Sequence, residues 1–544
     1  MIRKILTPLT NILKRRQRGQ LRRVMRGHLA LKRSGDVGRI AKVKQVLTEH
    51  RLNLARHSFS TTIMGQGTEV GEIVIRQYLL VRVGGLKLNH ALLLALGEKD
   101  GRVVFYLPKE WRDVLEQHGF KVAHFRSSVL WKLYTFAVWL YGVLQIIKIA
   151  FAGMRSRQNT NHKPKHHVCF VDLKPSNLPQ EENGRKSYDV VSWYLQWSGR
   201  ATGIKEVHHA VSKARPVFVG GVEVLPTKKV LPELVGGRTI VKYLLWGLRA
   251  SIIAAFDCFR GRWWHALLLN QAALSAQVRA QPTDFLAQEY LFHNSSYIYR
   301  PLWTYEAKKR GSAITFYFYS TNCENFKRPG GYPQLYGWKA INWPHYLVWD
   351  DGQADFVRRA VGIEANVSIV GPIWFQSSAA AMLRFDSMGV AIFDVSPMRQ
   401  SRYSILDVDY EYYIPEICER FLSHISDATS HLDVIMLWKR KRTLGAMAHP
   451  RYRYFSERLS EQEHVVLVDP DISAFRVIES SYAVISMPFT STALIARALG
   501  KPSIYYDSTG RLQRDDRAAH GIEIISGPEE LKDWLSKVLA EYWA

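Results

Sequence analysis

The stretch SYAVISMPFTSTALIARALGKPSIYYDSTG, residues 481–510, carries the pattern that decides the fold. Its apolar runs at residues 483–485 and 503–506 are typical of buried parallel strands. Between them, the hydroxyl residues 490–492 favour a helix start, and residues 493–499 continue the helix. The order strand, turn, helix, strand predicts one βαβ unit of an open parallel sheet.

The predicted helix begins at the carboxyl end of a strand. The N–H groups and positive dipole end of such a helix suit a phosphate group. Alternatively, Thr490 and Ser491 are ordinary helix caps, whose side-chain oxygens accept hydrogen bonds from these N–H groups. The pattern by itself leaves both interpretations open.

The same stretch resembles a known family. Residues 488–491 read PFTS, residues 492–496 read TALIA and residues 500–503 read GKPS, as in the bacterial polysaccharide biosynthesis PFTS motif proteins. The resemblance implies a GT-B type glycosyltransferase, distantly similar to bacterial sialyltransferases and capsule Kdo transferases. The implied fold class is α/β, with two Rossmann-like domains facing a cleft.

Composition sets further limits. A chain of 544 residues with 47% hydrophobic residues predicts a globular protein of two or three domains. The formal net charge of +26 indicates an anionic partner, such as nucleic acid, anionic lipid or an acidic substrate. The four cysteines lie far apart, which fits a reducing compartment and gives no metal or disulfide signature: Cys169, Cys258, Cys323 and Cys418.

We predict three regions. Residues 1–60 form a basic extension with sixteen Lys or Arg residues and two acidic residues. Residues 61–380 form a Rossmann-like acceptor-side domain, and residues 387–544 form a Rossmann-like domain that binds the nucleotide sugar. The apolar spacing of residues 2–13 favours a basic amphipathic helix on an anionic membrane surface. A transit peptide or a solvated basic arm has a similar composition.

Residues 129–153 are the most apolar segment and are long enough to cross a bilayer. Strand-like segments precede and follow them, so a single crossing would divide one domain between two compartments. We therefore favour a helix or hairpin that dips into one leaflet, with a buried core helix as the alternative. Residues 243–256 contain Arg249 and indicate a core or interfacial helix and not a span.

The remaining pattern alternates between strands and helices, as in Rossmann-like domains. Predicted strands of the first domain are residues 72–75, 103–107, 313–319, 346–349 and 367–370. Predicted strands of the second domain before the opening stretch are residues 390–393, 434–438 and 465–468. Predicted helices include residues 86–96, 111–117, 353–361, 413–425 and 528–540.

Glycosyl transfer needs a held donor and relief of the negative charge on the departing phosphate. Basic residues that directly follow a predicted strand suit that charge, although a solvated basic face has the same pattern. His449-Pro450 resembles the His-Pro motif that sialyltransferases and related Kdo transferases use on the nucleotide phosphate. Asp507 ends a strand and is expected to reach ribose hydroxyls. The predicted donor site comprises His449 with Lys439, Arg440, Lys441, Ser486, Pro488, Phe489, Thr490, Ser491, Thr492 and Asp507.

A base is also needed to take the acceptor proton. Residues 350–352, Asp-Asp-Gly, resemble the acidic-acidic-glycine motif of bacterial sialyltransferases, which makes Asp350 and Asp351 the predicted catalytic carboxylates. Together with His449 they form the predicted catalytic set. A solvent-exposed turn is the alternative for this motif, and Glu289 and His293 are alternative bases. D-x-D patterns, which can hold a metal ion, occur at residues 407–409 and 469–471. We nevertheless predict no metal and no cofactor, because GT-B enzymes generally offset the negative charge of the donor phosphates with basic side chains and helix dipoles.

The resulting hypothesis is a membrane-associated glycosyltransferase of bacterial surface polysaccharide biosynthesis, at the cytoplasmic face of the inner membrane. Expected partners are a nucleotide sugar, a glycan or lipid-linked acceptor, and an anionic membrane surface. The order of the Asp-Asp-Gly, His-Pro and hydroxyl motifs favours a CMP-activated acidic sugar as the donor. Rival interpretations are a CDP-glycerol-type polymer phosphotransferase, a nucleic-acid-binding protein and a scaffold. Nucleic acid is not expected, because the basic excess is terminal and not interleaved with aromatic residues.

Overall fold

The computed structural model describes most of the chain. The described residues are 19, 22–31, 33–34, 39–49, 61–83, 86–97, 102–155, 167–179, 187–196, 199–212, 214–227, 229–321, 323–324, 326–327, 330–332, 338, 341–375, 389–398, 412, 414–440, 443–445 and 448–543. The predicted amphipathic stretch of residues 2–13, the predicted domain boundary between residues 380 and 387, and Lys441 lie outside them.

Helices fill the described chain ahead of the first sheet. They include α1 Arg39–Glu49, α2 Thr61–Met64, α3 Thr68–Tyr78, α4 Leu86–Gly97, α5 Lys109–Gln117 and α6 His124–Arg155. The predicted strand at residues 72–75 is wrong, because these residues lie within α3. The predicted strand at residues 103–107 is also wrong, since Val103 forms only an isolated bridge with Val122. A short apolar run does not distinguish a strand from a buried helix.

The first domain contains an eight-stranded sheet. Its strands are β1 His167–Phe170, β2 Glu206–His209, β3 Val217–Val219, β4 Val222–Pro226, β5 Glu289–His293, β6 Ala313–Tyr317, β7 Tyr346–Val348 and β8 Val367–Ile369. Its helices are α7 Val190–Gln196, α8 Gly237–Phe259, α9 Trp264–Ala280, α10 Leu302–Lys309 and α11 Asp351–Val361. The strand order is β3-β4-β2-β1-β5-β6-β7-β8, and every pair except β3–β4 is parallel.

The second domain contains a six-stranded parallel sheet. Its elements are β9 Gly389–Phe393, α12 Pro415–His431, β10 Ile435–Lys439, α13 Pro450–Leu459, β11 Val465–Val468, α14 Ala474–Glu479, β12 Ala483–Ser486, α15 Ser491–Ala498, β13 Ser503–Asp507, β14 Ile524–Ser526 and α16 Pro528–Trp543. The order β11-β10-β9-β12-β13-β14 is the Rossmann order. The βαβ unit predicted from residues 481–510 is confirmed as β12, α15 and β13.

Helices α6, α8 and α9 pack closely through small residues. A Cβ atom on Gly247 of α8 would lie 2.4 Å from a methyl carbon of Ile146 of α6. A Cβ atom on Gly142 of α6 would lie 2.7 Å from the Cβ atom of Leu269 of α9. Because α6 is one continuous helix, the hairpin alternative for residues 129–153 is wrong.

The outer sides of α6 and α8 form an exposed apolar face. It consists of Val129, Leu133, Phe136, Leu140, Tyr141, Leu144, Ile147, Phe151 and Met154 on α6, and Val241, Leu244, Leu245, Leu248, Ile252, Phe256 and Phe259 on α8. By length and composition alone, both helices are apolar enough to cross a membrane, a test that core helices of soluble proteins also pass.

The carboxyl ends of the two sheets face each other. Thr321, which follows β6, donates from its backbone N–H to the Ser491 hydroxyl at the start of α15, over 3.0 Å. Asp350, which follows β7, contacts His520 of the second domain. Two Rossmann-like domains facing a cleft constitute the GT-B architecture, so the fold prediction is confirmed.

Candidate functional site

The second sheet changes direction between β9 and β12, which are neighbours in space but not in sequence. Ligands of open α/β sheets bind outside the carboxyl ends of the strands at such a switch point. The loops after β9, β10 and β12 meet here. The Met487 N–H donates to the Phe393 carbonyl at 2.8 Å, and the His449 N–H donates to the Pro397 carbonyl at 2.9 Å. Since β10 and β12 flank β9, their carboxyl ends lie roughly 10 Å apart.

The hydroxyl residues at the end of β12 and directly after it bond mainly to one another. Ser486 is buried, and its hydroxyl lies 2.7 Å from that of Thr492. Thr490 donates to the Met487 carbonyl at 2.9 Å and makes no side-chain cap to α15. The side-chain caps that the sequence suggested as the alternative are therefore not formed at Thr490. The first-turn N–H groups of α15 remain suited to an anion at the switch point.

The backbone of Phe489 is left-handed, with a φ of 61°. This conformation costs free energy in a non-glycine residue and is concentrated at functional sites. The Phe489 ring is buried, with its centroid 4.9 Å from that of Phe326 and 5.7 Å from that of Tyr505. Phe326 belongs to the first domain, so Phe489 holds the PFTS loop against the opposite side of the cleft.

His449 and the basic residues occupy the end of β10. His449 is the N-cap of α13, and its Nδ1 accepts from the Arg451 N–H at 3.3 Å. This bond leaves Nε2 as the atom that can reach a ligand. Arg440 donates to the Ser456 hydroxyl at 3.0 Å. Lys439 is buried, donates to the Pro470 carbonyl at 3.0 Å, and has its pKa lowered by burial to about 8. Lys439 thus places its charge beneath the site and not on its surface.

Asp394, which sequence reasoning missed, follows β9 directly and is buried at the switch point. Its carboxylate accepts a hydrogen bond from the Tyr452 hydroxyl. Burial raises the pKa of Asp394 to about 6. The sequence signal that could have identified Asp394 is its position as a single carboxylate directly after the apolar run 390–393.

The raised pKa of Asp394 predicts a pH-dependent stability. The folded protein holds this proton more tightly than the unfolded chain, so the stabilisation present near pH 4 is lost as pH rises through about 6. Asp394→Asn removes the titration and keeps an acceptor for Tyr452. Between pH 4 and pH 7, we expect the free energy of unfolding of this variant to rise relative to wild type by on the order of 3 kcal/mol.

Urea unfolding at several pH values measures this difference. Asp427→Asn, which changes an exposed carboxylate on α12, is the matched control and should stay parallel to wild type. Parallel curves for Asp394→Asn as well would contradict the buried titration.

Asp507, the last residue of β13, is engaged inside the protein. It is fully buried, and its oxygens accept from the Tyr412 hydroxyl at 3.1 Å, the Thr509 N–H at 2.8 Å and the Leu512 N–H at 2.8 Å. Its carboxylate is used to fix the turn after β13. Asp507 therefore has a structural role in this turn, and the ribose contact stays a prediction.

Asp350 joins the two domains. It caps α11 through the Gln353 N–H at 2.9 Å, and it contacts His520 Nδ1 at 2.7 Å and Arg497 at 3.3 Å. Although burial acts to raise the pKa of Asp350, the hydrogen bond and charge of His520, together with the charge of Arg497, lower it. A Cβ atom on Gly352 would lie 2.9 Å from His520, which explains the glycine.

These contacts make Asp350 a poor proton acceptor, because its oxygens are occupied and its ionised form is stabilised. We reassign it to the domain interface. Asp351 is exposed in the first turn of α11, and the base role stays a prediction for this residue.

The alternative bases lie at opposite ends of β5. Glu289 begins the strand and is bound by Tyr194 at 2.6 Å and Arg200 at 2.6 Å, so it is structural, and its role as a base is wrong. His293 ends the strand on the cleft side, with Nε2 3.2 Å from the Asp172 carbonyl and Nδ1 2.7 Å from the Ser295 hydroxyl. Burial lowers the pKa of His293, which favours the neutral imidazole.

Within the described ranges, no group of three or more His, Cys, Asp or Glu residues is arranged to hold a metal ion. Asp469 of the second D-x-D pattern accepts from the Asp471 N–H at 2.8 Å, as in an ordinary turn. Residues 407–409 lie outside the described residues. The metal-independent site stays a prediction.

Comparison with known proteins gives one family match. The model of the "Polysaccharide biosynthesis PFTS motif protein" family matches residues 246–535, which include both sides of the cleft. No curated protein sequence matches the chain.

Three solved structures give distant likenesses. Sucrose-phosphate synthase from Thermosynechococcus elongatus has 9% identity and a TM-score of 0.34, covering 69% of this chain and 90% of that one. UDP-GlcNAc 2-epimerase from Methanocaldococcus jannaschii has 8% identity and a TM-score of 0.36, covering 68% and 92%. The wall teichoic acid polymerase TagF has 12% identity and a TM-score of 0.35, covering 75% and 91%. Likenesses at these TM-scores say nothing about donor or acceptor.

Proposed function

Since the chain belongs to the polysaccharide biosynthesis PFTS motif family, we propose that it is a glycosyltransferase that moves a sugar from a nucleotide donor to a glycan or lipid-linked acceptor. The resemblance drawn from residues 488–503 is confirmed by this family match. The observation that carries the proposed activity is the switch point of the second domain, where the start of α15 and His449 flank the end of β9.

In the proposed reaction, the donor phosphates bind at the start of α15. The N–H groups and helix dipole there offset negative charge as the sugar leaves. His449 Nε2 donates to a phosphate oxygen from the other side of β9. The acceptor lies against the first domain, and its hydroxyl loses a proton to a carboxylate at the cleft, for which Asp351 is the candidate.

The finer proposal is a CMP-activated acidic sugar as donor, supported by the order of the Asp-Asp-Gly, His-Pro and hydroxyl motifs. Thermal-shift measurements with CMP, CDP, UDP and GDP test it. We expect selective stabilisation by CMP. Preference for UDP or GDP would reject the CMP-activated donor but remain consistent with a glycosyltransferase. The absence of any nucleotide binding would contradict the proposed function.

We also propose that the protein lies on the cytoplasmic face of the bacterial inner membrane as a peripheral or monotopic protein. The apolar face of α6 and α8 supports this location, because contiguous exposed apolar surfaces of this extent are rare on soluble monomers. The net charge of +26 adds attraction to anionic lipids.

A further inference from the structure

A cavity of ≈ 390 Å³ lies at the switch point of the first sheet. This sheet changes direction between β1 and β5. Val171, Ala210 and Tyr297 line the cavity, and they follow β1, β2 and β5 respectively. Asp172, beside Val171, is left-handed with a φ of 65°, as Phe489 is at the other switch point. The cavity therefore occupies the place where an open sheet binds a ligand.

Helix α6 forms the outer wall of this cavity. Gln145, Lys148, Ile149 and Ala152 line it, at the spacing of one helical face. Lys148 is exposed and is the only charged residue between Tyr134 and Gly153. Lys148 therefore offers a positive charge beside apolar surface.

The rest of the lining is mixed in polarity. Trp303 and Leu231 supply buried apolar surface. Lys229 lies at the wall in an ion pair with Glu233, with 2.9 Å between the charged atoms. Since Glu233 already balances Lys229, Lys148 is the cation of the lining that suits an added anion.

The apolar face of α6 and α8 begins beside this cavity. Leu144, Ile147 and Phe151 are exposed on α6, and Leu144 and Phe151 lie four residues before and three residues after Lys148, on the same side of the helix. A ligand with an anionic group at Lys148 can therefore place an apolar chain against Leu144 or Phe151 on α6. That chemistry describes a lipid phosphate.

We propose that this cavity binds a lipid-linked acceptor, with the lipid phosphate at Lys148 and the lipid chain along the apolar face. Trp303 and Leu231 contact the part of the ligand nearest the phosphate. The attached glycan then extends from the carboxyl ends of β1 and β5 toward the cleft. The identification of this ligand as the acceptor rests on the proposed glycosyltransferase function, whereas its binding does not.

Farnesyl phosphate in detergent micelles is the probe, and its affinity is measured by equilibrium dialysis without nucleotide. Lys148→Gln should weaken binding roughly tenfold or more, because a charge-assisted contact is lost. Arg249→Gln, which removes the lone arginine in the middle of α8 outside the cavity, is the matched control and should leave affinity unchanged. Farnesol should bind more weakly than farnesyl phosphate.

Equal effects of the two substitutions, no effect of Lys148→Gln, or equal affinity for farnesol and farnesyl phosphate would overturn the proposal. Absence of binding to the wild-type protein would also overturn it. CMP binding measured on the same preparations distinguishes failure of the proposed lipid site from failure of the proposed donor site. Retained CMP binding without farnesyl phosphate binding rejects this site alone, and the reverse result rejects the donor site alone.

Discussion

Ser491→Asp is expected to weaken binding of the nucleotide donor on the order of a hundredfold, because like charges placed together at a binding site cost several kcal/mol. The substitution puts a carboxylate in the first turn of α15, where the donor phosphates bind in this account. A carboxylate at a helix N-terminus is itself stabilising, so the fold should be retained. Calorimetric titration of the nucleotide measures the effect.

Ser491→Asn is the matched control for the charge. Both substitutions disturb the contact with the Thr321 N–H in a similar way, and only the aspartate adds charge. We expect Ser491→Asn to bind nucleotide far more tightly than Ser491→Asp. Equal affinities would show that the start of α15 does not face the phosphates.

His449→Asn is expected to lower kcat on the order of a hundredfold, because a donor aimed at developing negative charge is lost. Asparagine is a good N-cap, so α13 should keep its stability. The variant therefore separates the cap, which uses Nδ1, from the proposed contact through Nε2. Steady-state turnover of the donor, together with thermal unfolding, measures both roles.

His431→Asn is the control, since His431 is exposed in the last turn of α12 and should tolerate the change. Reduced turnover that follows a matching loss of thermal stability in His449→Asn would contradict the phosphate role. It would indicate that His449 serves only as a cap.

The second domain was predictable because its signals are local. The runs 390–393, 434–438 and 465–468 became β9, β10 and β11 with small changes of boundary. β9 is buried along its whole length and β10 along nearly all of it, and their sequences are apolar up to Lys439; β11, at the sheet edge, is half-buried at Val466 and Leu467. The PFTS stretch also correctly predicted the turn after β12 and the start of α15. In the first domain, residues 346–349 and 367–370 likewise correspond to β7 and β8.

The misassigned parts depend on contacts between distant segments. Residues 72–75 have an apolar strand-like pattern but become helical against a core formed by other helices, in which Val74 and Ile75 are buried. The pairing of Asp350 with His520 joins residues 170 positions apart. Asp507 ends a strand as expected, yet its carboxylate accepts hydrogen bonds from backbone N–H groups of the following turn. Local patterns place a residue at a strand end but do not determine its partners.

The central claim is that the donor phosphates bind at the switch point between β9 and β12. A crystal structure of the protein with bound CMP tests it most directly. The account predicts a phosphate oxygen within about 3 Å of a first-turn N–H of α15, with His449 on the same phosphate. A nucleotide phosphate bound at Lys148, or anywhere away from the start of α15, would contradict the account.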